Sequence, residues 1–191
     1  MVEFIELLRY YKDMKIYAVR HGKTDWNVRH ISNSFTDIPL NEVGIRQAEE
    51  LRAKTKRMSF DFCYASPLSR AYRTAEIIVD NRCEIVKEPL LMERNLGKKE
   101  GKAYDAITDM DTWDWNLNTN RDEIEPVQDL LKRAQLFLDK IKKERKKDET
   151  VLIVSHGGFL RALHYTIAGF DERTDLCAMH VKNCELKYYE I

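Results

Sequence analysis

Lys15-Ile16-Tyr17-Ala18-Val19-Arg20-His21-Gly22 decides how this chain folds. Ile16 to Val19 are β-formers between a helix-like run and a glycine, a pattern that predicts a short buried strand. Arg20 and His21 fall at its carboxyl end, where open α/β sheets bind ligands. Gly22 permits a sharp turn and a close backbone approach. A guanidinium grips oxyanions bidentately and a neutral imidazole supplies a lone pair, so the two suit attack on phosphorus. Alone, an Arg-His strand end is as readily a solvated edge. A second strand with the same ending decides between the two. Thr150-Val151-Leu152-Ile153-Val154-Ser155 is an apolar run closing on His156-Gly157-Gly158. Two buried parallel strands, each ending in His-Gly, bring both imidazoles to one crevice.

Outward from these strands, apolar spacing alternates strand and helix. Asn41 caps a helix over Gly44 to Met58, with Ala48, Leu51 and Thr55 inward. Phe60 to Ala65 reads as a strand, and Ser66-Pro67 as the cap and first turn of a helix running to about Asn81. Glu84 to Val86 is a short strand and Glu88 to Gly101 a loop, as is Lys23 to Asn41. Ala103 to Trp115 is weakly helical. Pro126 opens a long helix to Lys147 whose Val127, Leu130, Leu131, Ala134, Phe137, Leu138 and Ile141 share one face. Phe159 to Ala168 forms a helix stopped by Gly169, and Leu176 to Val181 and Glu185 to Ile191 complete the sheet. The expected architecture is a three-layer α/β/α sandwich, mostly parallel with an antiparallel edge strand. A single domain is expected over residues 1–191. Residues 2–12 form an amphipathic helix, either docked on the domain's own surface or serving as the arm of a homodimer. Residues 98–120 are too long for a plain connection and are expected to lie over the site as a partial cap.

Composition narrows the partners. Lys plus Arg and Asp plus Glu are 32 each, so no net charge draws the chain to nucleic acid or an anionic membrane. Apolar runs fall short of a membrane span and no secretory signal is evident. Cys63, Cys83, Cys177 and Cys184 lack metal-site spacing and read as reduced thiols of a cytoplasmic protein.

Four motifs in order, Arg20-His21-Gly22, Ser66-Pro67-Leu68-Ser69-Arg70-Ala71-Tyr72-Arg73-Thr74-Ala75, Glu93 followed by Gly97 and Glu100-Gly101, and Ser155-His156-Gly157-Gly158, resemble the histidine phosphatase superfamily in its phosphoglycerate mutase-like branch. The resemblance runs from about Lys15 to the C-terminus. It implies that His21 is the phosphorylated nucleophile, that Arg20, Arg70 and a protonated His156 form the phosphate pocket, and that Glu93 exchanges the proton. It implies substrate contacts from Asn27, Asn33 and Gly157 as well, although Ser34 stands where relatives carry glycine. No metal or other cofactor is implied, since side-chain cations neutralise the transferring phosphoryl group. Arg73 reads as a salt-bridge residue, and His30, His164 and His180 as packing or surface residues.

Lys99 replaces a frequent Trp, Ile124-Glu125-Pro126 replaces Gly-Glu-Ser, and Tyr104 stands where mutases hold substrate with Lys. With Asp105, Asp109, Asp111 and Asp114 in the expected cap, the extra cations of a phosphoglycerate site are missing. The expected function is therefore a metal-independent phosphomonoester hydrolase that acts through a phosphohistidine on a small phosphorylated metabolite. Phosphoglycerate mutase-type transfer is the alternative, and a non-catalytic phosphate-ligand binder the more remote one.

Overall fold

A computed structural model describes residues 14–104 and 110–191. The expected helix over 2–12 lies outside the described residues, as does the middle of the one expected over Ala103 to Trp115. Five strands, β1 (Lys15–Arg20), β2 (Phe62–Ala65), β3 (Glu84–Lys87), β4 (Thr150–Ser155) and β5 (Leu186–Glu190), form one sheet in the order β3-β2-β4-β1-β5. All pairs are parallel except β1 with β5. The helices are α1 (Asp25–Val28), α2 (Glu42–Lys54), α3 (Ser69–Val79), α4 (Val127–Glu144) and α5 (Gly157–Ala168).

The period-two pleat of the two apolar strands builds a core on each face of the sheet. Ile16, Ala18, Val151 and Ile153 are buried with the α4 and α5 residues Leu130, Phe137, Phe159 and Leu163. Val19, Leu152 and Val154 are buried on the other face with Leu51, Ala71, Ala75 and Ile78 of α2 and α3. The expected three-layer sandwich is therefore what forms. The apolar stripe read along α4 is buried at all seven positions.

This layering places the site. β1 leads toward α2 on one face and β4 directly into α5 on the other. Their carboxyl ends are neighbours whose continuations part, which opens the crevice where α/β sheets bind ligands. The register pairs Arg20 with Ser155, so the next residues on the two strands are His21 and His156.

Several bounds move, for physical reasons. α2 begins at Glu42 under the expected Asn41 cap, whose Oδ1 accepts the Gly44 N–H at 2.9 Å, and ends at Lys54. α4 stops at Glu144 because Arg145 leaves the helix. Its guanidinium stacks 3.5 Å from the centre of the Phe62 ring and donates to Tyr64 Oη at 2.9 Å. Within the loop expected over Lys23 to Asn41, Thr24 and Asn27 close a reciprocal capping box around α1. The strand expected over Leu176 to Val181 does not form. Two of its backbone acceptors serve side chains instead, Val181 O accepting from Arg20 Nη1 and Met179 O from Arg161 Nε, and just before it Asp175 O accepts from the Tyr165 hydroxyl. Ser66 does not cap α3 either, because Leu68 occupies that position with no side-chain cap.

Candidate active site

His21 is the centre of the crevice and is almost wholly buried. Its N–H continues the ladder to Ser155 O at 2.9 Å, and Asn183 Nδ2 donates to its carbonyl at 2.8 Å. Nδ1 lies 2.7 Å from Gly22 O. A carbonyl oxygen only accepts, so Nδ1 carries the hydrogen and Nε2 the lone pair. Burial, with cationic Arg70 and Arg20 beside it, holds the imidazole well below the usual histidine value. His21 is thus neutral near pH 7.

The glycine after it is needed for space, not for a left-handed backbone. A Cβ on Gly22 would stand 2.4 Å from Gly44 O in α2, and one on Gly44 would stand 2.1 Å from Lys23 O. Thr74 accepts the Gly22 N–H at 3.0 Å and donates to Arg70 O at 2.7 Å, tying the β1 turn to α3.

His156 faces His21 with ring centres 5.1 Å apart. Ser66 Oγ lies 2.8 Å from its Nε2 and also accepts the Leu68 N–H at 3.4 Å. With the Ser66 hydroxyl hydrogen directed at Nε2, the ring's own donor is Nδ1–H. The protonated His156 that the resemblance implies belongs to the site with a phosphoryl group bound. Burial first, then Arg70, His21 and Arg20, push it well below the ordinary value, so the ring is neutral before an anion arrives.

Arg70, fully buried, donates through Nη1 to Thr36 O and through Nη2 to Ser34 O, at 3.0 and 2.7 Å. Ser34, in the position relatives fill with glycine, also donates to Arg94 O and accepts from Leu96 N. Among the described residues, four buried side-chain atoms lack a partner: Arg20 Nε, Arg70 Nε, His156 Nδ1 and Asn33 Oδ1. All four belong to predicted site residues, and buried polar atoms without partners are rare away from ligand sites. Asn33 Nδ2 lies 3.4 Å from Thr24 Oγ1. The two ends of its amide are interchangeable by assignment, and reversing them would make the unpartnered end a donor. Asn27 spends its Oδ1 on the α1 cap and keeps Nδ2 for other contacts.

Glu93 is held against the start of α5. Its Oε1 accepts the N–H groups of Arg94, Gly158 and Phe159 at 2.8, 2.9 and 3.2 Å, so all three of these bonds fall on one oxygen. A Cβ on Gly158 would stand 2.6 Å from that Oε1, whereas one on Gly157 would meet Arg20 at an ordinary 3.4 Å. The Glu93 loop is braced from α4. Arg133 clasps both Glu125 oxygens at 3.0 and 2.9 Å and donates to the carbonyls of Leu90, Met92 and Glu93. Glu125, the part of the Gly-Glu-Ser pattern that this chain keeps, thus has a bracing role.

Described parts of the 98–120 segment dock at two places. Ile31 bridges Ala103, and Thr112 is buried with its carbonyl on Arg94 Nη2. Asp111 pairs with Arg121 at 2.6 Å, and Asp114 accepts the N–H groups of Asn116 and Leu117, so neither is a loose charge over the site. Arg73 pairs with Glu76, as its spacing predicts. Sequence reasoning missed the roles of Gly44, Ser66, Thr74, Arg133, Gly158 and Asn183. For Thr74 the signal was available in its i+4 spacing from Arg70. For Gly44 and Asn183 none was, because their partners are remote backbone atoms.

The model of the family described as "Histidine phosphatase superfamily (branch 1)" matches residues 16–191. The chain is 38% identical over 157 residues to the protein named Uncharacterized phosphatase PhoE of Bacillus subtilis (strain 168), covering 82% of this chain and 78% of that one. It is 29% identical over 160 residues to Phosphoglycerate mutase-like protein 4 of Arabidopsis thaliana, covering 78% and 69%. The solved structure of Bacillus stearothermophilus YhfR is 29% identical and superposes with a TM-score of 0.78, over 93% of this chain and 91% of that one. A match over the whole span that carries both His-Gly strand ends makes this chain an enzyme of the histidine phosphatase superfamily, branch 1.

Proposed function

We propose that the protein hydrolyses a small phosphomonoester through a phosphohistidine, without a metal ion. The observation that carries this reading is the fixed tautomer of His21. With Nδ1–H tied to Gly22 O and the ring neutral, Nε2 offers its lone pair at the end of β1. Nε2 attacks phosphorus as the ester P–O bond breaks, and a protonated Glu93 Oε2 gives its hydrogen to the departing alkoxide. Water then attacks the phosphohistidine, Glu93 takes the water's proton, and the P–N bond electrons return to Nε2. The Nε atoms of Arg20 and Arg70 and the His156 Nδ1–H supply unspent donors for the phosphoryl oxygens. Fixed donors of this kind stabilise charge that develops in transfer. The four cysteines, spread along the chain without paired spacing, suit a reducing compartment, and the cytoplasm is the proposed setting.

Rapid acid-free quenching during turnover of p-nitrophenyl phosphate, followed by mass spectrometry, should find phosphate on His21. His21→Ala should abolish both the adduct and turnover, a loss of several orders of magnitude. Turnover without any adduct on His21 would refute the covalent mechanism, and binding without turnover would identify a pure binder. One observation favours mutase-type transfer as a second reading: cations that the cap does not offer stand on α5 and the segment after it, where Arg161 and Lys182 line a depression beside Arg20. Isomerisation of a phosphoglycerate on addition of a bisphosphoglycerate primer would establish it.

A further inference from the structure

The depression beside the phosphate crevice is open and of ≈ 530 Å³. Its wall shares Arg20 and Gly157 with the crevice and adds Lys23, Arg161, His180 and Lys182. Among the described residues no carboxylate lines it, in a chain with as many acidic as basic side chains. Arg161 is the fixed element. Its Nε donates to Met179 O at 2.9 Å, its Nη2 lies 3.2 Å from His180 Nδ1, and its guanidinium sits 4.3 Å over the Trp113 ring. It reaches Arg20 electrostatically, each cation adding to the positive field of the other. The carboxylate nearest in sequence, Glu185, pairs with Lys187 at 2.7 Å and accepts the backbone N–H of Lys182, whose charge it also feels. The ammonium groups of Lys23 and Lys182 form no ion pair among the described residues.

A guanidinium fixed on an aromatic face, flanked by unpaired ammonium groups and opening on the phosphate site, is built to receive an anion. We propose that this depression is a second anion subsite, centred on Arg161, for an acidic group on the alcohol portion of the ester. The substrate class is then a phosphomonoester whose leaving alcohol carries a carboxylate or a further phosphoryl group. The proposal rests on the phosphatase reading for the meaning of leaving alcohol, but the subsite itself is defined by binding. His21 is expected to be neutral and its loss to spare the cations, so binding is measured on the His21→Ala protein, where no ester is consumed.

Calorimetry on that protein should compare 2-carboxyethyl phosphate with propyl phosphate, which differ in the carboxylate. The carboxylated ester should bind about tenfold tighter, the worth of one charge-assisted hydrogen bond in an open site. Adding Arg161→Gln should bring the ratio of the two affinities close to one, and adding Lys182→Gln should lower it. A Lys23→Gln/Lys182→Gln protein, which leaves Arg161 on Trp113, carries the test should loss of Arg161 unfold the chain. Equal affinities in the His21→Ala protein would overturn the proposal, and so would a preference that survives every one of these changes. The phosphatase reading fails separately: wild-type protein that discriminates the two esters yet never forms phosphohistidine keeps the subsite and loses the hydrolase.

Discussion

Gly158 and Glu93 act as a coupled pair, since the backbone N–H of one holds the carboxylate of the other in a space that no Cβ shares. The atom displaced by Gly158→Ala is the tip of a flexible side chain, so the fold should survive and Glu93 should shift. A displacement near 1 Å costs about 100-fold in rate. The loss should be larger for alkyl phosphates, which expel a basic alkoxide, than for p-nitrophenyl phosphate. Gly157→Ala meets Arg20 at ordinary contact distance and should cost less. Single-turnover phosphorylation of His21 is the measurement, and equal losses at both glycines would detach Glu93 from proton transfer. In the same assay Glu93→Gln should slow alkyl phosphates by about 100- to 10,000-fold, with a smaller effect on the aryl ester. Ser66→Ala frees the His156 tautomer, and should weaken vanadate binding more than it lowers the melting temperature. Unchanged vanadate affinity would return Ser66 to a purely structural role. Arg20, His21 and His156 were legible from the two strand endings, whereas Arg70 and Glu93 entered only through the family motifs that contain them. Ser66 was misread as a cap, because Ser-Pro before a helix has that local meaning and its real partner lies 90 residues away.

At the scale of elements, the site is held by contacts between turns and helices that pattern reading does not see. The strands and α4 were legible since burial imposes periods of two and 3.6 residues. Val151 to Val154 and the seven-residue α4 stripe obey them. The turn after β1 touches α2 at Gly44, and neither partner has a side chain to announce it. The obstruction there is backbone, so Gly22→Ala should destabilise by on the order of 3 kcal/mol, measured by urea unfolding. A wild-type midpoint would mean that α2 can retreat from the turn. The segment after α5 was misread as a strand for the converse reason. Leu176 and Val181 are buried, but five residues apart they do not share one face of a strand, and the carbonyls of Met179 and Val181 receive Arg161 and Arg20 in place of a neighbouring strand.

For the whole molecule, burying neutral histidines makes the fold sensitive to mild acid. Burial lowers His21, His156 and His164 below their value in the unfolded chain. Between the lowered folded values and the usual 6.5, the unfolded chain binds more protons than the folded one. The contribution is full above about pH 6.5 and is lost as pH falls through the folded values, at up to about 1.4 kcal/mol per pH unit for each histidine. Unfolding free energy measured from pH 8 to pH 5 should therefore drop on the acid side, and a flat profile would mean that the imidazoles are already charged in the folded protein. The strand order carries a consequence of another kind. β1 is synthesised first among the described strands, yet both its neighbours, β4 and β5, are the last two made. A nascent chain on the ribosome therefore carries Ile16, Ala18 and Val19 without their sheet partners until residues 150–155 and 186–190 emerge. Pairing at such sequence separation is slow and leaves apolar strand open to other contacts meanwhile. His21 and His156 meet only when that late pairing closes, so the crevice they share cannot assemble on a growing chain before residue 155 has left the ribosome.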